Sequence, residues 1–309
     1  MYSEKKYRYK ISIGQGGNSL MILVAINLIV FIIFAFIKTL YFFRYADKNA
    51  ALTFYNENVL NWLTLPAAGS RILARPWTLL TQMFMHDGVW HVLANMLWLG
   101  LFGSILQSLT GNRKLIPVFI YGGLAGGIAF ILACNFLPGL QAGLHVSYLL
   151  GASAGVMAVA IVTTAISPGY RIFPMLNGGI PLWIITALFL IIDLATIPTN
   201  NSGGHIAHLG GAFMGLLFMF FLRRGYDMSR WMTIFFESIN NLFDPEKPRK
   251  GKEIRKHLFY KSSSQPFTKN NKITQDRVDE ILDKINQKGY DYLTDEEKEM
   301  LERASKENL

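Results

Sequence analysis

Cysteine is almost missing from this 309-residue chain, and over most of its length charge is missing too. The single Cys134 lies in an apolar run, so the chain can form no intrachain disulfide and no cysteine-rich metal set. Charged residues make up 17% of the chain, against about a quarter in ordinary soluble domains. Hydrophobic residues make up 51% and the mean hydropathy is +0.27. Those proportions exclude disordered, collagenous and disulfide-stapled proteins and suit a soluble enzyme poorly. Acids are also scarce, 21 against 30 Lys and Arg, which leaves a net charge of +9. A basic balance can mark a nucleic-acid binder, but it also follows from the Lys/Arg excess in cytoplasmic segments of a membrane protein. The apolar residues fall in long blocks with charge pushed to the two ends, which selects a polytopic membrane protein with no nucleic-acid partner.

Six segments have the composition to cross a hydrocarbon core about 30 Å thick. The first, Leu20 to Ile37, holds no charge and one polar side chain, Asn27. A basic leader precedes it (Lys5, Lys6, Arg8, Lys10), but no small-x-small cleavage site follows, so a retained helix is expected. The remaining spans are expected at 78–109, 114–136, 149–166, 181–198 and 205–222. Arg113, Lys114, Arg171, Arg223, Arg224 and Arg230 lie in alternate loops, whereas 137–148 and 199–204 carry neither Lys nor Arg. The positive-inside rule then places both termini in the cytoplasm, in a cell (plasma or inner) membrane. The 44–77 loop carries Arg44, Lys48, Arg71 and Arg75 and dissents mildly, as a long, folded loop can.

After Leu222 the composition changes. Residues 226–243 space Trp231, Ile234 and Phe235 as an interfacial helix would. Residues 247–272 hold nine Lys/Arg and one acid, Glu253, with Ser262–Pro266 breaking any helix, a tract that anionic lipid attracts. Beyond it, Val278, Ile281, Leu282 and Ile285 recur at helical spacing, Gly289 ends that helix, and Thr294 with Glu297 forms a capping box for another. The expected division is 1–19 cytoplasmic segment, 20–224 membrane domain, 225–272 amphipathic helix and basic linker, and 273–309 helical hairpin. The hairpin is too small to be an enzyme by itself, and its cytoplasmic partner is unknown. With the tail on the cytoplasmic side, no side chain in 223–309 is expected to reach the polar clusters of the spans.

Polar groups inside a bilayer are costly, so each is a functional candidate. Three clusters are expected at one outer depth. His86, His91 and Asn95 open the second span, and His91 and Asn95, four apart, share a helix face. Gly151-Ala152-Ser153-Ala154-Gly155 opens the fourth, and His205 and His208 open the sixth. A serine hydroxyl needs a base, usually His, and a helix start offers unspent N–H groups and a favourable dipole. Small residues around a serine are also ordinary packing surfaces, and Gly211-x-x-x-Gly215 permits close helix contact. His205 and His208 lie about 60° apart around a helix, so spacing leaves the choice of base open. His91 and Asn95 could supply donors to an oxyanion. A metal site is disfavoured by the lack of His-Glu-x-x-His and of Cys or Glu ligands, so neither metal nor cofactor is expected. Asp193 is the one acid well inside a span, so an aspartyl dyad is excluded. It reads as a hydrogen-bonding or water-facing group.

In this order the segments resemble the rhomboid family of intramembrane serine proteases over residues 18–224. The likeness rests on Pro76-Trp77, His86-x4-His91-x3-Asn95, Gly151-x-Ser153 and His205-x-Ala207-His208-x-Gly210-Gly211. It implies an all-α six-helix membrane bundle and a Ser–His dyad without an acidic third member. Carried over by motif, Ser153 is the nucleophile and His205 the base, while His91, Asn95 and the Ser153 N–H form the oxyanion hole. Gly151 shapes the turn, with His208 and His86 supporting. The implied activity is endoproteolysis of transmembrane protein substrates near their outer end. The alternative is an inactive rhomboid-like protein that binds membrane helices, although such relatives typically lack the serine or the histidine. A transporter predicts inverted repeats and polar groups at the midplane instead. Thr78, Gln82 and Gln107 depart from common family patterns.

Overall fold

The computed structural model describes residues 18–173, 175, 178–199, 201–242 and 275–307. The chain divides into two compact units, Met1–Pro245 and Glu246–Leu309. In the first, α1 (Ser19–Arg44) is followed by α2 (Lys48–Asn58), strand β1 (Leu65–Pro66), α3 (Gly69–Ala74), α4 (Thr78–Thr81) and α5 (Val89–Thr110). Then come α6 (Leu115–Phe136), α7 (Pro138–Gln141), β2 (Tyr148–Leu149), α8 (Ser153–Ile166), β3 (Arg171–Ile172), β4 (Ile180–Pro181), α9 (Leu182–Thr196), α10 (Ser202–Arg223) and α11 (Arg230–Leu242). The second unit holds α12 (Gln275–Lys288) and α13 (Asp295–Glu307).

The architecture is an all-α membrane bundle. Helices α1, α5, α6 and α10, with 22–26 residues each, are long and apolar enough to cross a membrane. Helices α8 and α9 are apolar but have only 14 and 15 residues. The expected spans need two corrections here. The second does not run unbroken from 78: after α4 and one 3-10 turn the chain is extended at Met85 and Gly88, and α5 starts at Val89. The fourth starts at Ser153 and not at 149, because Tyr148–Leu149 forms a strand antiparallel to Leu65–Pro66. Non-helical backbone at membrane depth is tolerable only where protein satisfies its polar groups. Here the 44–77 loop does so, adding a bond from Ala67 N–H to the Ser147 carbonyl (3.0 Å).

That loop is itself braced by aromatic packing. Trp62 and Trp77 stack at 6.4 Å, the Trp77 indole donates to the Trp62 carbonyl, and the Arg75 guanidinium lies 4.0 Å from the Trp62 ring. The three family departures have structural partners. Thr78 donates to the Arg75 carbonyl, buried Gln82 reaches the Gly123 carbonyl, and Gln107 bonds Leu20 N–H and Asn18, tying the start of α1 to the end of α5.

Helices α6, α8 and α10 form the centre, and glycine sets their spacing. A Cβ on Gly211 would lie 2.1 Å from the Ala154 carbonyl oxygen, and one on Gly126 would lie 2.5 Å from the Ala154 Cβ. The backbones can approach this closely only where side chains are missing. Ala154 directly follows Ser153, so this contact also holds the serine in place. Gly211→Val should therefore destabilise the bundle by at least about 1–3 kcal/mol. The check is thermal unfolding in detergent beside the rate at which Ser153 is modified, and both should fall.

Away from the polar clusters, Lys114 at the start of α6 bonds Asp227 at 2.7 Å, and Tyr121 donates to the Met228 carbonyl and accepts from the Trp231 indole. Burial alone would raise the Asp227 carboxyl, but bonds from Lys114 and Ser229 outweigh it and hold the group below the usual carboxylate range. Met232 of α11 is buried whereas Trp231, Ile234 and Phe235 are exposed, so the helix has two faces. The expected basic tract 247–272 lies outside the described residues. In the second unit, Gly289 (φ +89°) follows α12, Thr294 and Glu297 form the capping box, and Lys284 pairs with Glu297 at 2.8 Å. Ile281, Leu293 and Ala304 are the buried apolar side chains among its described residues.

Candidate active site

The helices that carry the polar clusters, α5, α8 and α10, all begin at the same end of the bundle. Ser153 is the first residue of α8, so its own N–H has no partner in the first helical turn. The preceding Gly151 sits at φ +123°, a conformation that side chains rarely adopt, and its N–H is held by the Gln82 carbonyl at 2.9 Å. A Cβ there would lie 2.8 Å from His91 Nε2. Gly151 therefore answers two demands at once, the positive φ and the close approach of the imidazole.

Ser153 Oγ lies 2.7 Å from His208 Nε2. This corrects the expectation that His205 faces the serine. Three residues earlier on α10, His205 turns instead toward α9, where its Nδ1 lies 2.8 Å from Asp193 Oδ1 and 3.2 Å from Thr196 Oγ1. The offset between the two rings decides the matter, because His208 reaches both Ser153 of α8 and Asp193 of α9, whereas among the described residues the hydrogen-bond partners of the His205 ring are on α9 alone. His208 Nδ1 also lies 2.8 Å from the same Asp193 oxygen. Asp193 is only 5% exposed, and its oxygen thus serves both imidazoles.

Across from Ser153, His91 and Asn95 sit one turn apart on α5. The His91 Nδ1 faces Asp87 Oδ1 at 2.7 Å, which leaves Nε2 toward Gly151. Asn95 is 6% exposed, and its Nδ2 is buried without a hydrogen-bond partner among the described residues. An orphaned buried amide donor costs about 1–3 kcal/mol, so its presence calls for a reason. His86 is buried behind this pair, its ring edge-on to His91 at 5.1 Å between centroids. It lines no part of the cavity.

Ser153, His208, Asp193, His91 and Asn95 open into one cavity of about 610 Å³. Its apolar wall comes from α5, α8 and α9, and Trp98 of α5 meets Phe189 of α9 edge to face at 4.4 Å. Asp193, His205 and His208 each offer one ligand atom within 4.8 Å of the others, a spacing that could hold a metal ion. The same side chains are joined by two 2.8 Å hydrogen bonds, from His205 Nδ1 and His208 Nδ1 to Asp193 Oδ1. Of the residues expected from sequence, Ser153, His91 and Asn95 line this one cavity and Gly151 packs against His91. Sequence reasoning missed the contact of Asp193 with both imidazoles, for which a lone acid in an apolar helix was the available signal.

The Rhomboid domain family matches residues 73–225, and a family of unknown function matches residues 265–307. RHOMBOID-like protein 7 of Arabidopsis thaliana is 30% identical over 148 residues, covering 47% of this chain and 42% of that protein. Rhomboid protease GlpG of Pectobacterium atrosepticum is 24% identical over 166 residues, 53% and 54% of the two chains. RHOMBOID-like protein 12, mitochondrial, of Arabidopsis thaliana is 23% identical over 157 residues, 48% and 47%. The chain spans about half the length of the curated relatives it matches. With the helical bundle and this site, the match makes the chain a multi-pass membrane protein of the rhomboid family.

Proposed function

We propose that the protein is an intramembrane serine endopeptidase that cleaves transmembrane segments of other membrane proteins. The observation that carries the reading is the 2.7 Å contact between Ser153 Oγ and His208 Nε2 at the start of α8. In the proposed reaction Ser153 Oγ attacks the scissile carbonyl carbon while its proton passes to His208 Nε2. The carbonyl oxygen becomes an oxyanion, to which Asn95 Nδ2–H, the Ser153 N–H and the His91 imidazole are the nearby donors. The unspent Asn95 amide fits this role, since a donor satisfied in the resting protein would have to break a bond first. Collapse of the intermediate expels the amine, which takes the proton from His208 and leaves an ester on Ser153. Water then attacks that ester by the same proton route, releasing the acid and restoring the hydroxyl.

The Lys/Arg pattern of the loops supports an orientation with both termini cytoplasmic and the cavity toward the outer side. Substrate segments would then be cut near their outer end. The positive charge of residues 247–272 would draw that tract to anionic lipid. The second reading, a helix-binding protein without activity, requires Ser153 to be inert. The test is labelling of the full chain in detergent by a fluorophosphonate. Ser153 should be modified, and Ser153→Ala should not. An unlabelled native protein, with its unfolding transition intact, overturns the protease reading.

A further inference from the structure

We infer that Asp193 is a positioning residue that completes a Ser153–His208–Asp193 relay, a role that rests on the proposed protease reading and extends it. A carboxylate accepts hydrogen bonds and donates none. Because Asp193 Oδ1 lies 2.8 Å from His208 Nδ1, the shared proton resides on that nitrogen. The other nitrogen, Nε2, is then the bare one, and it faces Ser153 Oγ at 2.7 Å. Asp193 thus selects the tautomer that can take the serine proton and stops the ring from turning. A His lacking this partner would sample the opposite tautomer, which points an N–H at the hydroxyl and cannot act as its base.

Burying a carboxylate in an apolar helix is costly unless several donors meet it. His205 is the second donor. Its Nδ1 reaches the same Oδ1 at 2.8 Å, and Thr196, one turn beyond Asp193, lies 3.2 Å from that nitrogen. The i, i+3 spacing on α10 places both rings on one oxygen of α9. His205 therefore acts through Asp193 and not on the substrate. The geometry connects α9, otherwise a lining helix, to the chemistry on α8 and α10.

The experiment compares Asp193→Asn and Asp193→Ala with the native chain in detergent, measuring kcat, KM and the fluorophosphonate labelling rate of Ser153. The asparagine keeps the shape but can present an N–H to His208 and favour the wrong tautomer. Asp193→Asn should lose about 10²–10⁴-fold in kcat and labelling with KM nearly unchanged. Asp193→Ala should lose no more than the asparagine variant and should regain activity with added formate, a carboxylate small enough for the vacated space. His205→Ala should lose less than Asp193→Asn, and the double variant should be no worse than Asp193→Asn alone. An asparagine variant with native kcat overturns the relay. So does an alanine variant that is worse than asparagine and untouched by formate, which is the mark of a purely structural residue. Should Asp193→Asn fail to fold, formate rescue of Asp193→Ala decides the question alone. If the native chain itself neither labels nor cleaves, the protease reading has failed and the relay goes with it.

Discussion

Ser153→Ala and His208→Ala should each reduce cleavage of a model transmembrane substrate by at least about 10⁴-fold, and combining them should cost little more. The two residues act as one unit. Without the imidazole the hydroxyl keeps its proton, and without the hydroxyl the imidazole has nothing to deprotonate. His205→Ala should remain clearly active, because its ring faces Asp193 and Thr196 and does not touch Ser153. The measurement is single-turnover cleavage in detergent for all three variants, with thermal unfolding as a check that each is folded. Activity in His208→Ala together with loss in His205→Ala would overturn the assignment of the base. Activity in Ser153→Ala would remove the serine mechanism altogether.

Asn95→Ala should lower kcat by about 10²–10³-fold, the usual effect of deleting one oxyanion donor, with KM little changed. Its effect on stability should be the unusual one. Among the described residues the Asn95 Nδ2 is buried without a partner, so removing it deletes an unsatisfied polar group, and the unfolding temperature should hold or rise. A residue kept for packing would show the opposite pattern, a lower unfolding temperature with kcat intact. His91→Ala should also lose turnover, though it gives up packing against Gly151 and the bond to Asp87 as well. A kcat unchanged in Asn95→Ala, with weaker substrate binding, would make the amide a substrate contact and leave the oxyanion to other donors.

Much of this protein is legible in its residues taken in order. Long uncharged runs can satisfy their backbone in lipid only as helices, so α1, α6 and α10 follow from composition alone. Gly211 and Gly215 announce close helix contact, and Ser153, Asn95 and His91 stand out because a polar group in an apolar run is expensive. Local chemistry likewise foretells the Thr294–Glu297 capping box and the end of α12 at Gly289. One boundary resisted reading for a tertiary reason. The stretch 149–152 is apolar enough for a helix, but the 44–77 loop offers Tyr148 and Leu149 a strand partner, and no local pattern records a partner more than 80 residues away. The choice between His205 and His208 is of the same kind. Two histidines three residues apart are nearly equivalent on an isolated helix, and only the placement of α8 and α9 around α10 makes one face Ser153 and both meet Asp193. Sequence settles which side chains are too costly to be idle in a membrane, because that cost belongs to each residue. Which of them touch is settled by helix packing, because a hydrogen bond belongs to a pair.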